Sequence, residues 1–272
     1  MTFDDIVPAS GRIQEPQLQE MDAASFARER LGFAPDARQT EVLRLTAKRV
    51  ILNCSRQWGK STVAAAKALH RVLTVPRSLV LVASPSAKQS AEFLRKAGEM
   101  LEVMGIAPRG DGDNEISLLL PNRSRIVGLP GNESTGRGFS NVSMLLIDEA
   151  AVVEDSLYKM LRPVLSVSDG DLWLMSTPRG KRGFFYATWA HGGPEWVRVS
   201  VPATECARIP KAHLEDERRQ EGMPWFRQEY MCEFVDNEAN TFNRDLVERA
   251  VDGGVSVLNL RRLSTWKDAG EK

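Results

Sequence analysis

The 272-residue sequence has few of the features that mark secreted, membrane-spanning or metal-stabilised proteins. It contains only three cysteines, and none of them forms the CxxC pair that is typical of zinc and redox sites. We expect all three to be reduced thiols: Cys54, Cys206 and Cys232. No apolar run approaches the roughly 18 residues needed to cross a bilayer, and the first residues include Asp4 and Asp5 rather than a basic, apolar leader. The sequence therefore predicts a soluble intracellular protein without a membrane partner.

The chain also lacks an excess of charge of either sign. Lys and Arg together number 36, as do Asp and Glu, so the formal net charge is zero. A protein whose main task is to coat nucleic acid is usually more basic, so any DNA contact is expected to be local or made by an assembly. Internal repeats and low-complexity tracts are absent as well. The hydrophobic fraction of 42% is that of an ordinary globular protein, which excludes a disordered chain, a collagen and a coiled coil.

Short apolar segments alternate with helical ones through the middle of the chain. Several of these segments are continuous apolar runs, as at residues 79–82 and 144–147. Such runs are typical of strands covered on both faces, and their alternation with helices predicts an α/β fold with a mostly parallel sheet. Strands are predicted at residues 49–53, 78–83, 116–120, 125–129, 144–147, 172–175 and 197–201. Helices are predicted at residues 22–30, 37–48, 61–73, 88–104, 156–165 and 183–191.

The pattern divides the chain into four parts: an N-terminal arm (1–35), an α/β core (36–205), a small helical appendage (206–240) and a tail (241–272). The appendage is predicted from a charged, helical stretch at residues 210–234. Its aromatic residues recur at near-helical spacing: Trp225, Phe226, Tyr230 and Phe234.

A phosphate-binding motif follows the first predicted strand. Residues 54–62, CSRQWGKST, match the pattern G-x-x-x-x-G-K-[ST] at Gly59, Lys60 and Ser61, whereas Cys54 replaces the first glycine. In such a loop, backbone amides and a helix N-terminus bind phosphate, the lysine neutralises the β- and γ-phosphates, and the hydroxyl holds Mg²⁺. The alternative is an ordinary surface tetrapeptide before a helix. We refer to residues 54–62 as the phosphate loop.

An acidic pair follows another apolar strand. The run at residues 144–147 leads directly into Asp148 and Glu149. In a nucleotide site, Asp148 would hold Mg²⁺ and Glu149 would polarise the water that attacks the γ-phosphate. Ligands bind at the carboxyl ends of parallel strands, where both motifs lie. A further predicted strand, 78–83, lies between them along the chain, the order found in NTPases with a catalytic glutamate. The alternative is a buried strand that ends in an acidic turn.

At these residues the chain resembles the large terminase subunit of tailed bacteriophages, the ATPase of the viral DNA-packaging motor. The resemblance covers roughly residues 33–235. In that family the phosphate loop often reads S-R-Q-x-G-K-[ST], as residues 55–61 do here. The resemblance implies an ASCE or RecA-like P-loop ATPase that couples Mg-ATP hydrolysis to movement of double-stranded DNA into a procapsid. It also implies the portal protein and the small terminase subunit as partners, a ring of subunits on the portal, and the host cytoplasm as the location.

The resemblance assigns roles to further residues. The ATP-binding residues that it implies are Gln39, Ser55, Arg56, Gln57, Trp58, Gly59, Lys60, Ser61 and Thr62. Gln39 would read adenine, although a solvent-facing helix residue is an equal alternative. Arg56 would sense the γ-phosphate in cis and stabilise the charge that develops on it. Trp58 is expected either to stack near the base or to cover the loop.

The resemblance also implies groups that transmit the state of the nucleotide. The coupling motif would be Ser176, Thr177 and Pro178, which by sequence alone is a turn after a strand. An arginine acting on a neighbouring subunit is expected at Arg137, with Arg125 as the second candidate. A role for Arg137 within its own subunit is the alternative. Arg179, Lys181 and Arg182, in the loop that follows, are further candidates for contact with DNA phosphates, and the alternative is an ordinary solvated loop.

One departure from the family and two alternative functions complete the prediction. Large terminase subunits usually continue into an RNase H-like nuclease, and residues 236–272 are too few for one, so we expect no nuclease activity. We expect either an isolated ATPase domain, with residues 241–272 as a tail or a linker toward a missing nuclease domain, or an ATPase-only chain. One alternative is a fragment of a P-loop helicase or nucleic-acid translocase, which would need a second RecA-like lobe. The other is a non-catalytic nucleotide-binding module, which would not need the water-activating carboxylate of Glu149.

Overall fold

A single twisted sheet organises the part of the chain that the computed structural model describes, residues 20–129, 131 and 138–235. Its seven strands are ordered β3-β4-β2-β5-β6-β1-β7. In chain order they are β1 (Arg49–Cys54), β2 (Leu79–Ala83), β3 (Ser117–Leu119), β4 (Arg125–Leu129), β5 (Val142–Asp148), β6 (Asp171–Ser176) and β7 (Trp196–Val201). Neighbouring strands are parallel, with the exception of the antiparallel pair β3–β4 at one edge. The predicted α/β class and mostly parallel sheet are confirmed, and each strand lies within two residues of its predicted bounds.

Helices cover both faces of this sheet, and most of them match their predictions. They are α1 (Ala23–Arg30), α2 (Ala37–Arg44), α3 (Lys60–Thr74), α4 (Ala87–Val103), α5 (Asp155–Leu161), α6 (Gly183–His191), α7 (Lys211–Gln220) and α8 (Met223–Glu229). Short 3₁₀ turns occur at Arg162–Leu165 and Ala203–Glu205. The helix predicted at 156–165 therefore changes to a 3₁₀ turn at Arg162, next to Pro163.

Two other helical predictions were too long. The helix predicted at 37–48 ends at Arg44, and the ammonium of Lys67 donates hydrogen bonds to the carbonyls of Leu43 and Leu45 beside this end. The stretch predicted to be helical at 210–234 contains two helices, and the second one ends at Glu229. They are separated at Gly222, whose φ of +81° is not helical, and Pro224 lies in the first turn of α8.

The alternation of side chains along the strands creates one apolar cluster on each face of the sheet. On β1, for example, Val50 and Leu52 belong to one cluster and Ile51 to the other. The first cluster also contains the buried residues of α3 and α4, and Phe226 and Tyr230 of the C-terminal helices join it. Because residues 236–240 lie outside the described part, the division into a core and an appendage at 206–240 stays a prediction. No helix among the described residues is long and apolar enough to cross a membrane.

Candidate active site

The strand order brings the two predicted nucleotide motifs to neighbouring positions at the carboxyl ends of the central strands. Strand β6 lies between β1, which leads into the phosphate loop, and β5, which ends at Asp148. The register pairs Asn53 of β1 with Ser176 of β6, and Met175 of β6 with Asp148. Because these strands are parallel, their carboxyl ends all lie on the same side of the sheet. The phosphate loop and the acidic pair are therefore one strand apart.

A direct hydrogen bond joins the two motifs. The hydroxyl of Ser61, in the first turn of α3, donates to Oδ2 of Asp148 at 2.8 Å. Asp148 is buried, with 6% of its surface exposed. The two residues that the sequence predicted as magnesium ligands are thus in contact, although 87 positions separate them along the chain.

The phosphate loop has the shape of an anion site. Gln57 and Gly59 have positive φ values of +59° and +96°, so successive peptides turn sharply before α3 begins at Lys60. The N-cap of α3 is Gly59, which has no side chain to cap the first amides of the helix. The Lys60 ammonium is buried and donates to the carbonyls of Cys54 and Ser55 at 3.3 and 3.1 Å. It therefore lies folded over the loop in which a phosphate would bind.

Glu149 stands immediately beyond the strand, in a left-handed conformation with φ of +51°. The amide of Glu149 donates a hydrogen bond to Oδ1 of Asp148 at 3.0 Å. The chain turns at this point, directly after β5. Burial raises the pKa of Glu149, and the carboxylate of Asp148 acts in the same direction, while the ammonium of Lys60 and the guanidinium of Arg56 oppose them. The result is a carboxylate of increased proton affinity beside the phosphate loop.

Arg56 of the phosphate loop is held by the C-terminal helix α8. Its Nε donates to Oε2 of Glu229 at 2.6 Å, and its amide donates to the carbonyl of the same residue at 3.0 Å. The hydrogen bond to Glu229 raises the pKa of Arg56, and Glu149 contributes through its charge. The other Glu229 oxygen accepts from Gln228 Nε2 at 3.1 Å. Arg56 therefore lies between the carboxylate of α8 and that of Glu149.

Four of the remaining residues predicted to bind ATP are buried or half-buried, whereas Gln57 is exposed. The indole of Trp58 is fully buried in the first apolar cluster, so its side chain anchors the loop in the core rather than stacking on a base in this conformation. Gln39 is 2% exposed, and its Nε2 donates to the Trp58 carbonyl at 2.9 Å. Ser55 is buried and Thr62 is half-buried.

The predicted coupling motif lies between the two nucleotide motifs. Ser176 ends β6 and is fully buried, Thr177 is half-buried and Pro178 is buried. Two residues further on, the amide of Gly180 donates to Oε1 of Gln228 at 3.1 Å. The segment therefore connects the edge of the sheet to helix α8, and its role in coupling stays a prediction.

Of the two arginines predicted to act on a neighbouring subunit, Arg125 is among the described residues. Arg137 lies outside the described residues. Arg125 opens β4, at the opposite end of the sheet from the phosphate loop, and its guanidinium lies 3.3 Å from Asp111. In the loop after the coupling motif, Arg179 and Arg182 are exposed.

Two residues at the site were not predicted from the sequence. Glu229 contacts Arg56 from 173 positions away, and Arg208 donates to the Trp58 carbonyl from 150 positions away. Both lie in the segment that we predicted only as a helical appendage. No local motif marks either residue, because each acts through a contact that only the folded chain creates.

Comparison with known proteins agrees with this geometry. The family model described as "Terminase large subunit, T4likevirus-type, N-terminal" matches residues 51–249. The chain belongs to this family. The large terminase subunit of Thermus virus P23-45 is 28% identical over 250 residues, which cover 79% of this chain and 52% of that protein. The chain thus spans about half the length of the curated relatives that it matches.

Solved terminase structures share the fold of the chain. The large terminase ATPase domain of Thermus phage P74-26 superimposes with a TM-score of 0.66, at 24% identity, over 78% of this chain and 97% of that domain. The large terminase of another thermophilic bacteriophage, solved in complex with ADP, superimposes with a TM-score of 0.61 at 14% identity, over 84% of this chain and 56% of that one. The predicted resemblance to large terminase subunits is therefore confirmed.

Proposed function

We propose that this chain is the ATPase of a viral DNA-packaging motor, which hydrolyses Mg-ATP and drives double-stranded DNA into a procapsid. The observation that carries the proposal is the hydrogen bond between Ser61 and Asp148, because it joins the phosphate loop to the acidic strand. Family membership supports the same function. The ADP complex of the second terminase structure described above supports ATP as the ligand class.

The residues at this contact fit a magnesium ion. Ser61 and Asp148 offer a hydroxyl and a carboxylate, and Mg²⁺ prefers such oxygen ligands together with substrate phosphates and water. Among the residues that the structure describes, no group of three or more His, Cys, Asp or Glu side chains could hold a metal alone. Ser61 and Asp148 would therefore hold an ion that nucleotide brings with it. When bound, the ion neutralises charge on the β- and γ-phosphates.

The other site residues then have separate tasks. Lys60 leaves the loop carbonyls for the phosphates, since an anion is a stronger partner than two neutral carbonyls. Glu149 accepts a proton from the attacking water, and burial increases its affinity for that proton. As the bond between the γ-phosphorus and the leaving oxygen breaks, negative charge develops on the γ-phosphate oxygens, and the guanidinium of Arg56 compensates that charge.

The proposal extends to the parts of the motor that surround this site. We infer that Ser176, Thr177 and Pro178 transmit loss of the γ-phosphate, because β6 lies between the two motifs. The motor would act on double-stranded DNA together with a portal protein and a small terminase subunit, in the cytoplasm of the host. Arg137 would reach the nucleotide of the neighbouring subunit in a ring.

Nucleotide binding and single-turnover hydrolysis, measured with duplex DNA present, test the proposal. Glu149→Gln should bind ATP as the wild type does and hydrolyse it about 10²- to 10⁴-fold more slowly, because it removes the general base. Lys60→Ala should lose nucleotide binding while its circular dichroism spectrum stays native. Lys88→Ala, at an exposed position of α4, is the matched control and should change neither. Unchanged turnover in Lys60→Ala would refute the ATPase assignment. So would ATP binding by the wild type without any turnover, also at high protein concentration with duplex DNA.

A further inference from the structure

The carbonyl oxygen of Trp58 is held by two side chains that come from distant parts of the chain. Gln39 Nε2, from α2, donates to it at 2.9 Å. Arg208 Nη2, from the segment before α7, donates to it at 2.7 Å. This carbonyl belongs to the peptide that joins Trp58 to Gly59, immediately before Lys60. Both donors therefore act on the part of the phosphate loop that leads into α3.

Asp36 forms hydrogen bonds with both donor residues. Its Oδ2 accepts from Arg208 Nη1 at 2.5 Å, and its Oδ1 accepts from the amide of Gln39 at 2.8 Å. In return, Oε1 of Gln39 accepts from the amide of Asp36 at 3.1 Å. Each donor side chain is thus bound at two points, so neither can turn away from the Trp58 carbonyl without breaking a second hydrogen bond. We call Asp36, Gln39 and Arg208 the carbonyl clamp.

The rest of the Trp58–Gly59 peptide is equally constrained. The Trp58 indole is fully buried in the core, which fixes the chain on one side of the peptide. On the other side, Gly59 has a φ of +96°, which L residues with side chains rarely adopt. A Cβ atom at Gly59 would also lie 3.0 Å from Gln39 Nε2. In a planar trans peptide the carbonyl and the N–H point in opposite directions, so holding the Trp58 carbonyl also fixes the direction of the Gly59 N–H.

We propose that Arg208 is a positioning residue of the nucleotide site, which with Gln39 and Asp36 presets the Gly59 amide for phosphate before nucleotide binds. This inference rests on the proposed function. It assigns Gln39 a task other than reading adenine, since its amide nitrogen and oxygen already have partners within the clamp and the residue is buried. The task of Arg208 is geometric: one planar guanidinium reaches both Asp36 and the Trp58 carbonyl, which a lysine ammonium cannot imitate.

The test compares Mg-ATP with Mg-tripolyphosphate, which carries the phosphates without a base. Dissociation constants are measured by calorimetry for the wild type, Arg208→Ala and Arg208→Lys. A clamp that presets the loop predicts that both variants bind both ligands about tenfold more weakly, with the same factor for each ligand. Gln39→Ala should show the same equal loss. Arg38→Ala is the control, because Arg38 is similarly exposed but donates to the Ser200 carbonyl, and it should leave both constants unchanged.

Three results would overturn the carbonyl clamp. Weaker binding of ATP alone would show that Arg208 or Gln39 contacts the base. Wild-type affinity in Arg208→Lys would show that only the positive charge matters. A wild-type chain that binds ATP but not tripolyphosphate would show that the loop is not preset. Failure of the wild type to bind either ligand is a different outcome, which would contradict the proposed function itself.

Discussion

At the scale of single residues, Glu149 depends on its surroundings for its chemical role. Burial raises its pKa above the ordinary value of a glutamate, and the neighbouring carboxylates of Asp148 and Glu229 add to this. Lys60 and Arg56 counteract the rise without cancelling it. A base that is too weak cannot accept a proton from water, whereas a carboxylate with a raised pKa accepts that proton more readily near neutral pH. The environment of Glu149 is therefore matched to the role we propose.

This environment predicts the pH dependence of hydrolysis. Glu149 acts as a base only when deprotonated, so the single-turnover rate should decrease as the pH falls through its pKa, at a pH above the range of an unperturbed glutamate. The rate constant is measured at sub-saturating Mg-ATP, where its pH dependence reports the free protein, across the acid range and with circular dichroism as a check of folding. Glu149→Gln provides the comparison and should be slow with no such limb. An acid limb that remains in Glu149→Gln would assign the titration to another group.

At the scale of the elements, a half-buried lysine joins α2 to α3. Lys67 of α3 donates to the carbonyls of Leu43 and Leu45, at 2.8 and 2.7 Å, beside the C-terminal end of α2. Its ammonium also lies 5.5 Å from the centre of the Trp173 ring. Because α2 carries Gln39 and α3 begins at Lys60, this contact fixes two elements of the proposed nucleotide site relative to each other.

The lowered pKa of Lys67 leads us to expect that this residue increases the free energy of unfolding as pH rises. Burial lowers its pKa from 10.5 to about 8, opposed by Asp171 and assisted by Arg71. Between these two values an unfolded-state lysine binds more protons than Lys67 in the folded chain, so Lys67 should contribute an increase of about 3 kcal/mol to the free energy of unfolding as pH rises through this interval. Chemical denaturation of the wild type and of Lys67→Met, from pH 7.5 to 10.5, measures the difference.

The buried thiols of Cys54 and Cys232, whose pKa values are raised, act in the opposite direction in both proteins, so the contribution of Lys67 is the difference between wild type and variant. Lys88→Met should retain the wild-type slope, and an equal slope in Lys67→Met would contradict the assignment.

An element could be predicted from the sequence where the residues that determine it are close together in the chain. The strands were found because continuous apolar runs are a local signal of burial on both faces, as at residues 79–82. The end of α2 could not be found, because the group that binds its last carbonyls is Lys67, more than twenty positions away. The same distinction holds at the site: Lys60 and Asp148 lie in recognisable motifs, whereas Arg208 is identified only by a contact made in the folded chain.

At the scale of the whole molecule, the proposed nucleotide site draws on residues from both ends of the described chain. Its contributors extend from Asp36 in the cap of α2 to Glu229 at the end of α8. The described residues all belong to one compact unit. A ligand that binds only the folded site therefore stabilises this whole unit, because unfolding must first release it.

We accordingly expect Mg-ATP to raise the melting temperature of the chain. A concentration one hundred times the dissociation constant should contribute about 2.7 kcal/mol, which for a unit of this size is roughly 5 to 10 °C. Differential scanning fluorimetry measures the shift with Mg-ATP, Mg-AMP and ATP in EDTA. AMP should give little of it, since it lacks the β- and γ-phosphates that Lys60 binds. Asp148→Asn should lose the part that depends on magnesium, while Asp113→Asn, an exposed substitution, should keep the full shift. Equal shifts with AMP and ATP would mean that the ligand is held by its nucleoside, and the phosphate loop would then lose its assigned role.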